Sequence, residues 1–197
     1  MSDTTEVWLI RHGETAWSLT GQHSGRTDLP LTTHGEAEAV EASQLLAGKK
    51  FDQVWCSPLR RARRTCEIAG YLAEAHIDPD LQEWDYGACT GYTQEQLAQR
   101  FPGWNIWSGP TPDGESVGQI SARARGVVDR LRETKGRVAI FAHGHFLRVL
   151  TTQWLGLPPE AGRNFALETA AVCILGYDAG FPAVRAWNVR AGGLRQN

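Results

Sequence analysis

Short apolar runs alternate along this chain with stretches of helical period. Val7–Ile10 is the first such run and reads as a strand buried on both faces. Thr33–Ala47 has helical spacing, with Thr33 and Glu36 at capping-box separation. Val54–Cys56 is a second short strand. Ser57-Pro58 then supplies a capping hydroxyl and a first-turn proline for a helix expected to reach about Ala75. Thr93 and Gln96 cap a shorter helix; Ser116 and Gln119 cap a long one that reaches Lys135 and stops at Gly136. Val138–Ala142 is a third strand, followed by a helix to about Leu155. Ala171–Tyr177 and Ala183–Trp187 are later strand candidates. This alternation predicts the α/β class, a three-layer α/β/α sandwich with a mostly parallel central sheet. The least regular stretch, residues 84–115, is rich in Gly, Pro and Trp and reads as an insertion or lid within a single domain spanning 1–197.

Composition narrows the picture by exclusion. Twenty basic residues against 22 acidic ones leave a net charge of −2, which argues against a chain built to coat nucleic acid or an anionic membrane. The longest apolar stretches, Val138–Ala142 and Ala170–Gly176, are far too short to span a bilayer. The amino terminus is polar and acidic, with no basic segment ahead of an apolar one, so a cytoplasmic location is expected. Cys56, Cys66, Cys89 and Cys173 lie far apart with no CxxC pair, the pattern of free thiols rather than a zinc or redox motif. Among the bases, only Lys49, Lys50 and Lys135 are lysine, and the other seventeen are arginine. Such a skew arises from genome composition or from oxyanion binding, since the planar guanidinium matches phosphate bidentately.

Position separates those readings. Val7 to Gly13 and Val138 to Gly144 each place His-Gly five residues after the opening Val. In an open α/β sheet the carboxyl ends of parallel strands are where ligands bind. His12 and His143, with Arg11 beside one of them, therefore form a candidate site. Residues Arg60, Arg61, Arg63 and Arg64 crowd the first turns of the helix after Ser57. Cations there oppose the helix dipole, which an anionic ligand would explain, although helical spacing lets only one or two face inward. Glu83 or Asp85 could reach the same sheet edge.

These residues carry a family resemblance. The run from Leu9 to Ser18, with Arg11-His12-Gly13 at its centre, resembles the RHG signature of the histidine phosphatase superfamily, in its phosphoglycerate-mutase-like branch. Ser24 to Thr32, the S-x-L-x-R-A-x-x-T pattern of Ser57–Thr65, the E-x-x-x-G of Glu83–Gly87, Pro112–Ser116 and His143-Gly144 follow in the family's order. Small bacterial acid phosphatases of this branch look most similar. The resemblance implies a phosphoglycerate-mutase-like fold and a phosphatase acting on a phosphorylated small molecule. It casts His12 as the nucleophile that becomes phosphohistidine and Glu83 as general acid–base. Arg11, Arg61 and His143 would hold the phosphoryl oxygens, with His143 protonated. Ser18, Ser24, Gly25, Tyr86, Gly144 and His145 align with positions lining the site. No metal or other cofactor is implied, and the His143-x-His145 pair has no matching carboxylate cluster.

Two alternatives stand beside this one. A mutase of the same branch carries an Arg pair in the insertion after the acid–base, whereas Thr90–Glu115 contains Arg100 alone, which favours hydrolysis. A phospho-ligand or protein-binding module without turnover is the other, and every matched catalytic position being filled weighs against it. Trp104 and Trp107 are either lid-packing core or a stacking wall for substrate. Oligomeric state, a homodimer included, is unreadable from the sequence.

Overall fold

In the computed structural model, which describes residues 5–191, six strands form one sheet. The amino-terminal residues 1–4 and the last six, 192–197, lie outside the described residues. The strands are β1 (Glu6–Arg11), β2 (Gln53–Cys56), β3 (Ala75–Ile77), β4 (Arg137–Ala142), β5 (Val172–Asp178) and β6 (Phe181–Val189). Their order across the sheet is β3-β2-β4-β1-β5-β6. The first four are mutually parallel; β5 runs antiparallel to β1, and β6 antiparallel to β5. Helices α1 (Ala16–Thr20), α2 (Thr33–Leu46), α3 (Arg60–Ile68), α4 (Gln94–Arg100), α5 (Val117–Glu133) and α6 (Gly144–Leu155) complete the regular structure.

Strand alternation divides the core into two halves. Val7 and Leu9 of β1, with Val138 and Ile140 of β4, face α5 and α6, packing with Ile120, Val127, Leu131, Phe146 and Trp154. Their neighbours Trp8, Ile10, Ala139 and Phe141 point the other way, toward Leu46 of α2 and Ala62 and Cys66 of α3. Because both faces are covered, β1 is apolar from Val7 to Ile10 and β4 from Val138 to Ala142, which is why they are legible as continuous runs. All four cysteines are free and buried.

Several boundaries move. Thr32, not Thr33, caps α2, accepting from the Gly35 amide. Ser57 does not cap α3: the helix starts at Arg60 behind Leu59 with no side-chain cap. It also stops at Ile68, because the chain turns back through Leu72–Glu74 into β3, a three-residue strand too short to show periodicity. Helix α1, capped by Thr15 with Ser18, is likewise too short to read. The boxes of Thr93 with Gln96 and Ser116 with Gln119 form as expected.

Candidate active site

Three adjacent parallel strands deliver the central residues to one sheet edge. Arg11 of β1 is in register with Ala142 of β4, and the His12 amide donates to the Ala142 carbonyl at 3.0 Å. His12 and His143 therefore emerge side by side, their ring centroids 5.2 Å apart. Ser57 follows β2, where its amide donates to the Phe141 carbonyl. Its hydroxyl lies 2.7 Å from His143 Nε2, which explains why it is not spent on a helix cap. Gly13 permits the close approach of the following loop to α2: a methyl group there would sit 2.2 Å from the Gly35 carbonyl oxygen.

The His12 ring is anchored by its own backbone, Nδ1 lying 2.7 Å from the Gly13 carbonyl oxygen. A carbonyl only accepts, so Nδ1 carries the proton and Nε2 keeps its lone pair. Burial, followed by the positive charges of Arg61 and Arg11, pushes the His12 pKa well below the ordinary imidazole range. The same forces act on His143, where burial, then Arg61, His12 and Arg11, push the ring's pKa well below the ordinary imidazole range. The protonated His143 expected from the sequence is therefore not what the chain's own groups favour. Its Nδ1 is buried without a hydrogen-bond partner.

Both flanking guanidiniums are held by carbonyl groups rather than carboxylates. Arg61 donates to the carbonyls of Thr27 and Gly25, each at 2.8 Å, and Arg11 to that of Leu167 at 2.5 Å. The Nε of each is buried without a partner. Arg61 is the only one of the four clustered arginines that is buried; Arg60, Arg63 and Arg64 are exposed, and Arg64 pairs with Glu36 and Glu67. Gly144 lets Arg11 lie against α6, since a methyl group there would stand 3.3 Å from the guanidinium carbon.

Glu83 comes from the loop after β3 and docks on the first turn of α6. Its Oε1 accepts from the amides of Trp84 and Phe146, at 2.9 and 2.8 Å, and its Oε2 from that of His145 at 3.2 Å. Main-chain donors at a helix N-terminus suit a carboxylate. The loop is braced from behind by Arg123 of α5, which bonds the Asp80 and Gln82 carbonyls, both at 2.7 Å, and the Glu115 carboxylate. Glu115 in turn accepts from the Asp85 amide. The Pro112–Ser116 element thus supports Glu83 and caps α5, and it contributes no side chain to the cleft.

A cleft of about 180 Å³ opens on this edge, and among its lining residues are Arg11, His12, Ser18, Ser24, Arg61, Glu83, Tyr86, Gly144 and His145. Two expected residues sit behind the wall: His143 is fully buried, and Gly25 acts through its carbonyl on Arg61. Tyr86 reaches His145 Nδ1 at 2.6 Å; burial, then the Glu83 charge, pushes its phenol pKa well above the usual range. Gln22, His23, Arg148 and Leu167 also line the cleft and were missed from sequence. Arg148 was findable, one helical turn after Gly144 on the same face of α6. His23 adjoins Ser24 and packs on Tyr86 with centroids 4.8 Å apart; burial lowers its pKa to about 4. Trp104 and Trp107 are buried and do not line the cleft. Trp104 donates to Pro110, and Trp107 packs edge-on to Trp84 and His145, so both are core. Among the described residues, no cluster of three or more His, Cys, Asp or Glu is placed to hold a metal ion. No helix there is long and apolar enough to cross a membrane.

Comparison with known proteins places this arrangement. A family model described as the histidine phosphatase superfamily (branch 1) matches residues 7–190. An acid phosphatase of Mycobacterium tuberculosis is 42% identical over 87% of this chain and 86% of its own. A sedoheptulose 1,7-bisphosphatase of Saccharomyces cerevisiae is 31% identical over 78% and 69% of the two chains. The solved structure of a Mycobacterium tuberculosis open reading frame superposes with a TM-score of 0.89 at 36% identity, covering 95% of this chain and 98% of that one.

Proposed function

Because the chain belongs to the histidine phosphatase superfamily, branch 1, we propose that it hydrolyses small-molecule phosphate monoesters through a phosphohistidine on His12, with Glu83 as general acid and base. The observation that carries this reading is the His12 ring. It is held neutral, protonated on Nδ1 and lone-paired on Nε2, between two guanidiniums that are held by backbone carbonyls.

The steps follow from that geometry. Arg11 and Arg61 take the phosphoryl oxygens, their charges opposing the dianion and the charge spread during transfer. His12 Nε2 attacks phosphorus while the ester oxygen departs, taking its proton from the Glu83 carboxyl. Oε2, which accepts only one amide, is the oxygen placed to carry that proton. Water then attacks the phosphohistidine, Glu83 takes the water proton, and the Nε2–P bond electrons return to His12. The products are the alcohol and inorganic phosphate. A bound dianion also supplies the negative charge that His143 lacks, which draws a proton to its unpartnered Nδ1. The residues that do this require no metal.

The cleft is smaller than the about 300–1,000 Å³ typical for drug-sized ligands. It suits a phosphoryl group with the first atoms of a leaving group. Hydrolysis is favoured over mutase transfer because the 90–115 segment brings no arginine pair, and Arg100 stacks on Tyr92 and Phe101 instead of lining the cleft. The test is release of p-nitrophenol from p-nitrophenyl phosphate together with trapping of an acid-labile phosphoenzyme. His12→Ala is expected to lose both, with turnover down at least about 10³-fold. Undiminished labelling in His12→Ala would assign the nucleophile elsewhere.

A further inference from the structure

Three arginines line the cleft, and the proposed chemistry uses only two. Arg148 projects from α6 one turn beyond Gly144. Its guanidinium is fixed on three sides: Nε donates to the Gly162 carbonyl at 2.9 Å and Nη2 to that of Arg163 at 3.1 Å. The Trp107 ring lies 4.7 Å from its central carbon. Gly162 makes that stack fit, because a methyl group there would stand 2.6 Å from the indole. Nη1 is the nitrogen that these contacts leave uncommitted.

Most half-buried arginines here sit on carboxylates: Arg123 on Glu115, Arg190 on Glu38 and Glu168, Arg137 on Glu6. Among the described residues, no carboxylate lies within ion-pair distance of Arg11, Arg61 or Arg148. Burial and then the Arg11 charge work against the Arg148 cation. An immobilised, partly buried cation with no carboxylate in ion-pair contact is costly for the fold alone, and a bound anion offsets that cost. Arg11 and Arg61 are the guanidiniums set against the two charges of a phosphoryl dianion, which leaves the Arg148 guanidinium for a further anionic group.

We propose that Arg148 is a specificity residue that receives a single anionic substituent, a carboxylate, on the leaving group, a few bonds from the phosphoryl ester. This rests on the phosphatase reading for the placement of the phosphoryl group. It also gives the 84–115 segment a part in selectivity: Trp107 backs Arg148 instead of stacking on substrate.

The experiment compares two esters that differ only in a carboxylate against a hydroxymethyl group, 3-phosphoglycerate and glycerol 3-phosphate. Binding is measured by calorimetry on the His12→Ala chain, so turnover does not enter. The carboxylate-bearing ester is expected to bind about ten- to a hundredfold tighter, the worth of one charge-assisted contact. Adding Arg148→Met should bring that ratio near one, while Arg148→Lys, which keeps the charge, should retain part of it. Equal binding of the two esters overturns the proposal. So does an Arg148→Met that weakens both alike, or an Arg148→Lys as indifferent as Met, since either would make the arginine a brace for 162–163. Absence of p-nitrophenyl phosphate turnover by the unaltered chain would instead remove the phosphatase reading, and the binding ratio would still be readable.

Discussion

His12 and Glu83 divide the proposed chemistry by charge state, and each division is measurable. Burial and two arginines hold His12 well below the ordinary imidazole range. The nucleophile is therefore unprotonated on both sides of pH 6.5, and kcat/KM should show no acid limb near that value. A profile that falls through an imidazole-like pKa of about 6.5 as pH drops would contradict the assignment. Glu83 matters most when the leaving group is a poor one. Glu83→Gln should slow hydrolysis of an alkyl phosphate by about 10²–10⁴-fold. With p-nitrophenyl phosphate, whose phenolate leaves without a proton, the loss should be much smaller in phosphoenzyme formation. Equal losses on the two substrates would show that Glu83 does not deliver the proton.

At the scale of elements, the loop carrying Glu83 depends on α5, a helix that gives the cleft no side chain of its own. Arg123 ties the 80–83 backbone to Glu115 and lies over the Phe146 ring at 4.8 Å. Arg123→Met is expected to destabilise the fold by about 2–4 kcal/mol, because it strands a partly buried Glu115 and several carbonyls. It should also lower kcat through the looser Glu83 loop. Chemical denaturation and kinetics read the two effects separately, and an unchanged midpoint would show that the brace carries no stability. Legibility differs sharply between elements of this kind. β1, β4 and α6 were readable because a strand covered on both faces is apolar throughout and a helix of twelve residues shows its period. α1 and β3 were not, having five and three residues. Ser57-Pro58 looked like a cap in one dimension, but its hydroxyl is used across the sheet by His143.

Across the whole molecule, two groups stand out within the arginine excess. Arg26, Arg64, Arg123, Arg130, Arg137, Arg185 and Arg190 form ion pairs with carboxylates of the same chain, the use that a compositional bias predicts. Arg11, Arg61 and Arg148 converge on one cleft without such partners among the described residues. Four histidines surround that cleft, and burial lowers the pKa of each: His12, His143 and His145 strongly, and His23 to about 4. The unfolded chain binds protons at these rings below about pH 6.5 and the folded chain does not, so stability must fall as pH drops through that window. Each ring contributes up to about 1.4 kcal/mol per pH unit. The melting temperature should therefore decline from pH 7.5 to pH 5, and His23→Phe should shrink the decline. A melting temperature that is flat across this range would contradict the buried neutral rings.

Local sequence was enough for the alternating elements, the two His-Gly strand ends and the ordered motifs that tie Arg11, His12, Arg61, Glu83 and His143 to one family. Periodicity and motif spacing act over a few residues, and those residues carry them in full. Tertiary structure alone set the burial and the neighbouring charges that push the His143 pKa down. It also put the insertion's tryptophans behind the cleft wall and set Arg148 as its third cation. Each of those outcomes depends on burial and on charges brought together from strands, loops and helices far apart in the chain. A guanidinium's partner, unlike a helix's period, is not written beside it.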